Sequence, residues 1–240
     1  MRHTWRTALT ATVACAVTGA CAMDQGFNSQ FANLDDRAWH RAHYQFTHPD
    51  FDTDWSRAHV VADAGLTLLL RPQAGHNGFL GASIRRQAPS HFGTYSARMK
   101  AARGDGLVTG FFLYTGAAYG TPHHEIDWEF LGRDTTRAQV SWWVDGAQRN
   151  ATVPLGFDAA DRWATYAIHW SATGITWSVD GRVVYEATRD IPQTPMRLFA
   201  NLWAADRSIA GWAGHAAPDT TARVQISTLA HRPQDETHQN

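Results

Sequence analysis

The sequence predicts an all-β fold, a sandwich of short antiparallel strands, and three observations predict it. No stretch of useful length carries apolar residues at helical spacing, whereas many short runs are rich in Val, Ile, Thr and aromatic side chains. Two Asp-Gly pairs, Asp145-Gly146 and Asp180-Gly181, separate such runs as two-residue hairpin loops do, since that loop needs positive φ at both positions. The 240 residues are 44% hydrophobic, with no repeat or linker, which suits one all-β domain with a sizeable core.

Taken in order, residues 1–22 read as an export signal rather than as fold. Arg2 and Arg6 give a positive start, residues 8–20 are small and apolar, and Ala20-Cys21-Ala22 fits the small-x-small cleavage rule. The segment is short for a membrane span. Cleavage after Ala22 would remove Cys15 and Cys21, the only cysteines. In the alternative, Thr18-Gly-Ala-Cys21 is a poor lipobox and Cys21 becomes a lipidated N-terminus. Both readings place the protein outside the cytoplasm, periplasmic or secreted. Strands are then expected at 66–70, 95–100, 108–114, 125–131, 139–144, 164–170, 175–179, 183–187, 197–202 and 223–229. The clearest hairpin is Trp177-Ser-Val-Asp-Gly-Arg-Val-Val-Tyr185. Residues 159–161 suggest a brief helical turn, and 231–240 a polar, disordered tail.

A net charge of −1, a pI near 6.9 and the lack of a basic stripe argue against nucleic acid as partner. Eleven tryptophans are many for this length. Some must pack the core; others suit stacking on the C–H faces of sugar rings.

The most informative segment is His123-His124-Glu125-Ile126-Asp127-Trp128-Glu129-Phe130-Leu131-Gly132. On a strand, Glu125, Asp127 and Glu129 share one face, and Ile126, Trp128 and Phe130 the other. The same alternation describes an ordinary half-exposed strand with its acids in water. Crowded carboxylates are costly, because like charges resist ionising together. A glycosidase has a use for them, needing one carboxylate ionised and another protonated at the same pH. His123 and His124 point to opposite faces on a strand, which argues against a shared metal.

Glu-Ile-Asp-Trp-Glu-Phe-Leu-Gly resembles the active-site strand of glycoside hydrolase family 16, and of its bacterial lichenases and exopolysaccharide-trimming glycanases in particular. Gly93-Thr-Tyr-Ser-Ala-Arg-Met-Lys100, Gly110-Phe-Phe-Leu-Tyr-Thr-Gly116, Gly132-Arg-Asp-Thr-Thr136, Leu155-Gly-Phe-Asp158, Trp177-Ser-Val-Asp-Gly181 and Asn201-Leu-Trp203 resemble further family segments, in the family's order, covering roughly residues 27–230.

The resemblance implies a concanavalin A-like jelly-roll β-sandwich of two antiparallel sheets, with a concave substrate cleft and a catalytic domain over residues 23–230. It implies a retaining endo-β-glycanase acting on a β-glucan or glucose-rich exopolysaccharide, as a monomer without cofactor. Glu125 becomes the nucleophile, Glu129 the acid/base, and Asp127 the group between that tunes both. The retaining mechanism needs the working carboxyls about 5–5.5 Å apart. Their Cα atoms would be roughly 13 Å apart on a straight strand, so the side chains must lean together. Arg85, Phe112, Tyr114, His123, Trp143, Asn201 and Trp203 match positions lining the cleft.

This sequence also departs from the family. His124 replaces a usual Asp, His123 a lichenase tryptophan, Ser83 a carboxylate near Arg85, and Ser141 a subsite asparagine, while Trp128 is bulkier than usual. Gln225 stands where lichenases supply an Asp to a structural calcium, which puts that ion in doubt. A transglycosylase using the same glycosyl-enzyme, and a non-catalytic carbohydrate-binding protein on the same sandwich, are the rival readings. The intact carboxylates speak against the second.

Overall fold

A computed structural model describes residues 25–75 and 78–234. The export-signal reading and the end of the expected tail, 235–240, lie outside the described residues. Sixteen strands follow in chain order: β1 Phe27–Ser29, β2 Trp39–Arg41, β3 Thr53–Trp55, β4 Val60–Ala62, β5 Leu66–Pro72, β6 Phe79–Arg86, β7 Gly93–Lys100, β8 Leu107–Thr115, β9 His124–Leu131, β10 Arg137–Val144, β11 Ala147–Pro154, β12 Ala164–Trp170, β13 Ile175–Val179, β14 Arg182–Ala187, β15 Arg197–Ala204 and β16 Ala222–Pro233. Among the described residues one four-residue α-helix, Ala210–Ala213, accompanies them, with three short 3-10 turns.

The strands form the two layers of a jelly-roll sandwich. One sheet runs β11-β10-β9-β8-β15-β6-β2, the other β5-β16-β7-β12-β13-β14, with β1 on β16 and β4 on β5. A short pairing of Arg71 with Leu80 and Pro72 with Phe79 joins the layers at one edge. The pairing is antiparallel except between β3 and β6, which run parallel. Strands adjacent in space are often distant in the chain: β15 sits between β8 and β6.

Every expected strand is present. Both Asp-Gly loops hold positive φ at each residue, 51° and 80° at Asp145-Gly146, 48° and 81° at Asp180-Gly181. The turn at 159–161 forms on Asp158, whose carbonyl accepts from Asp161 and Arg162 and whose carboxylate accepts from the Ala160 N–H. The sequence reading missed β1 to β4, β6 and β11. β6 carries Gly81, Ala82 and Ser83 at its centre, and a side chain at Gly81 would meet Leu202, Thr53 and Trp55. β11 is a largely exposed edge strand with a mostly polar sequence. The tail expectation is corrected at its start: β16 continues through Pro233, and His231 is buried, stacked on Tyr95 at 4.1 Å.

The core lies between the layers. Ile126, Trp128 and Phe130 project into it from β9 without solvent exposure. Tyr166 of the opposite sheet meets Trp128 and Phe130 at centroid separations of 5.5 and 4.7 Å. Two fully buried indoles of this core keep their N–H groups paired, which offsets the cost of taking them out of water. Trp128 donates to the Ala167 carbonyl at 3.2 Å, and Trp177 to the Asp127 carbonyl at 2.9 Å. The Trp177 bond crosses from one sheet to the other and fixes the middle of β9 in place.

Candidate active site

Because side chains alternate along a strand, register alone decides what faces the carboxylates from neighbouring strands. Glu125 is flanked by Trp143 and Tyr114, Asp127 by Ser141 and Phe112, and Glu129 by Gln139 and Gly110. Beyond β8, Arg197 pairs with Tyr114, Phe199 with Phe112, Asn201 with Gly110 and Trp203 with Val108. Further out, Arg85 pairs with Phe199, Ser83 with Asn201, and His40 with Arg85. These odd-and-even rows form the floor of one concave face.

The three carboxylates have different surroundings. Glu125 Oε2 lies 2.8 Å from His123 Nε2, at the solvent-reachable end of the row. Asp127 is buried and accepts from Ser141 Oγ at 2.7 Å. Its carboxyl is held well above the ordinary range, chiefly by burial and then by the charges of Glu125 and Glu129. Glu129 accepts from Gln139 Nε2 at 2.9 Å and lies 3.4 Å from Ser141 Oγ. Burial, then the neighbouring charge of Glu125, pushes Glu129 up to about 7, against the pull of the Gln139 and Ser141 bonds. At neutral pH the row can therefore hold an ionised group and a protonated one side by side.

The expected cleft residues are placed as follows. His123 stacks on Trp143 at 4.9 Å and meets the ring of Tyr114 edge-on at 5.4 Å. Phe112 stacks on Phe199 at 5.0 Å. The Arg85 guanidinium donates to Gln87 Oε1 at 3.3 Å and lies 5.8 Å from the Tyr119 ring. Asn201 is buried beside Glu129's row, and its Oδ1 has no hydrogen-bond partner among the described residues. Such an orphan acceptor is costly unless a ligand satisfies it. Trp203 is only 6% exposed, with one face covered by Phe51 at 3.9 Å. It sits in the cleft floor as packing rather than as an open platform.

Sequence reading missed Gln139, Phe199 and Trp212 as site residues, and treated Ser141 only as a departure. Gln139 holds Glu129 and is itself held by Trp212 Nε1 at 3.0 Å. One signal could have found the β10 pair. A turn centred on Asp134 pairs 129 with 139, 127 with 141 and 125 with 143. Phe199 had no such signal, because its strand arrives from far along the chain. The paired histidines diverge as expected: His123 faces the carboxylates, while His124 is buried under the hairpin, its Nδ1 accepting from the Asp145 N–H at 3.4 Å.

Among the described residues no group of three His, Cys, Asp or Glu side chains is placed to hold a metal ion. Gln225, at the expected calcium position, pairs with Thr67 and Lys100 across the sheet and brings no carboxylate. No helix among the described residues is long and apolar enough to cross a membrane.

Known proteins resemble this chain in sequence and in fold. The chain is 38% identical over 200 residues to a beta-glucanase of Bacillus subtilis, covering 82% of this chain and 79% of that one. Its fold superposes on the beta-glucanase of Bacillus licheniformis with a TM-score of 0.83 at 33% identity, covering 87% and 98% of the two chains. A beta-1,3-1,4-glucanase (lichenase) from a mouse hindgut metagenome gives the same TM-score at 31% identity, covering 87% and 99%. The sequence profile of glycosyl hydrolases family 16 matches residues 47–226, so the chain is a glycoside hydrolase and belongs to that family.

Proposed function

We propose that this glycoside hydrolase is a retaining endo-β-glucanase that cleaves internal bonds of mixed-linkage β-1,3-1,4-glucan or of a glucose-rich polysaccharide with similar stretches. One observation carries the reading: Glu125 and Glu129 share a face of β9, both half-buried, but desolvation and the Glu125 charge push Glu129 up to about 7 while Glu125 is bonded to an imidazole.

In this mechanism Glu125 attacks the anomeric carbon while protonated Glu129 gives its proton to the leaving oxygen. A covalent glycosyl-enzyme forms. With the leaving chain gone and Glu125 esterified, one neighbouring charge has disappeared, so Glu129 loses its proton more readily once water needs a base. Water then attacks with Glu129 as base, restoring the original configuration. Asp127, its carboxyl held well above the ordinary range between them, resists adding a further charge to the middle of the row. The relatives named beta-glucanase and lichenase support a glucan as substrate. Asn201 Oδ1, Tyr114 and the Phe112–Phe199 stack suit sugar hydroxyls and ring faces. An open cleft on a sheet admits a chain in mid-length, hence internal cleavage. A polysaccharide substrate and the first 22 residues together support export to the periplasm or beyond.

The test is a reducing-end assay with sizing of products over mixed-linkage β-glucan, laminarin, xyloglucan and carboxymethylcellulose, with Glu125→Gln alongside. Cleavage of mixed-linkage glucan to short oligosaccharides by wild type alone is expected. Products longer than the substrate would instead identify a transglycosylase. Turnover unaffected by Glu125→Gln would remove the assignment.

A further inference from the structure

The concave face is not electrically uniform. On one side of β9, the side chains of β10 and β11 that extend the carboxylate rows are neutral: Gln139, Ser141, Asn150 and Gln148. On the other side the rows carry, beside neutral Phe199 and Asn201, two arginines and a histidine. Arg197, Arg85 and His40 follow one another outward across β15, β6 and β2. Arg197 and Arg85 lie 3.9 and 5.8 Å from the same Tyr119 ring, so two guanidiniums converge on one spot. Beyond them opens a pocket of about 380 Å³ lined by His40, Arg41, His43, Tyr44 and Arg57. Its one carboxylate, Asp36, is engaged by Arg41 through both oxygens, at 3.0 and 3.1 Å. Among the described residues no carboxylate pairs with Arg57, Arg85 or Arg197 in an ion pair. Tyr44, 52% exposed, presents an open aromatic ring in the same pocket.

We propose that this pocket, at the β2 end of the cleft, is a subsite for a carboxylate-bearing sugar of the substrate chain. The reading rests on the polysaccharide hydrolase assignment and deepens it. Guanidinium groups match a carboxylate in planar, bidentate geometry, and an exposed tyrosine stacks on the ring that carries it. At the usual strand spacing, β2 lies about 19 Å from β9. The charged sugar therefore sits several residues from the scissile bond, where it selects the substrate without touching the reacting atoms. The local potential agrees: His40 is held below its ordinary value by partial burial, then by Arg85 and Arg57. A cluster that discourages one more positive charge is one that an anion would relieve.

The experiment measures binding by calorimetry to the Glu125→Gln variant, which needs no turnover. Three β-glucan oligosaccharides long enough to span the cleft are compared: neutral, oxidised to carboxylates at C6, and carboxymethylated. The expected result is that at least one acidic form binds about tenfold more tightly than the neutral one, the value of one charge-assisted hydrogen bond. That advantage should disappear in high salt and in an added Arg57→Gln, His40→Gln pair with an unchanged melting temperature. A C6 preference would identify a uronic acid; a carboxymethyl preference, an appended acid. Equal binding of all three forms, or an advantage indifferent to salt, would overturn the subsite. Charge-dependent binding by a wild-type enzyme that cleaves no β-glucan would retain the subsite and discard the glucanase reading.

Discussion

His123 Nε2 lies 2.8 Å from Glu125 Oε2, so an imidazole orients the carboxylate that the mechanism needs as nucleophile. The ring is itself fixed between Trp143, stacked at 4.9 Å, and the edge of Tyr114. His123 is thus both part of an aromatic wall and a hydrogen-bond partner of Glu125.

His123→Phe should retain the stack on Trp143 and lose the bond to Glu125. A hydrogen bond to a charged group is worth about 1.5–3 kcal/mol, which corresponds to a fall in kcat of roughly ten- to a hundredfold. His123→Gln, which can still donate, should recover part of it. Steady-state kinetics on one glucan checks this; an unchanged kcat in His123→Phe would make the contact incidental.

Glu129 must be protonated to act as acid, so kcat/KM should decline as pH rises past about 7. Because the carboxylates titrate together, that limb belongs to the row rather than to one residue. Gln139 and Ser141 bond the ionised form of Glu129 and hold its value down. Gln139→Ala should therefore move the alkaline limb to higher pH, a direction opposite to that of simple damage.

The same burial has a cost in stability. Glu129 is raised above its unfolded value of 4.5, so the folded state binds more protons between that value and about 7. Stability then declines as pH rises through this window. Glu129→Gln should melt several degrees above wild type at pH 8, and the difference should vanish near pH 4, where both states are protonated. Thermal melts at the two pH values decide it.

Glu125→Gln should keep the fold and lose nearly all activity. Glu129→Ala should be partly rescued by azide on a substrate with a good leaving group, giving a glycosyl azide of retained configuration. An inverted azide would exchange the two roles.

At Gly110 an added Cβ would collide with Asn201 Oδ1, the buried acceptor without a protein partner. Gly110→Ala should therefore displace that acceptor and raise KM about fivefold, the value of one neutral hydrogen bond of about 1 kcal/mol. Melting should change little, since only a side chain at the cleft floor moves. An unaltered KM would remove Asn201 from the binding surface.

The sequence by itself determined the alternation on β9, and with it the face shared by Glu125, Asp127 and Glu129. A strand's period of two leaves no choice once the apolar side is buried. It also determined both Asp-Gly hairpins, because few residues accept the backbone angles these turns require. Strands with strong apolar runs were legible for the same local reason. β6 and β11 were not, because small central residues and an exposed polar edge carry little pattern of their own. What only the tertiary structure decided is which distant strands lie beside β9's neighbours. Phe199, Asn201 and Arg197 reach the cleft through β15, and Arg85 and His40 through β6 and β2. It also decided that Trp203 packs against Phe51, and that Trp212 steadies Gln139. Those placements come from non-local pairing, whose register is fixed by burial of the whole sheet and not by any short stretch of chain.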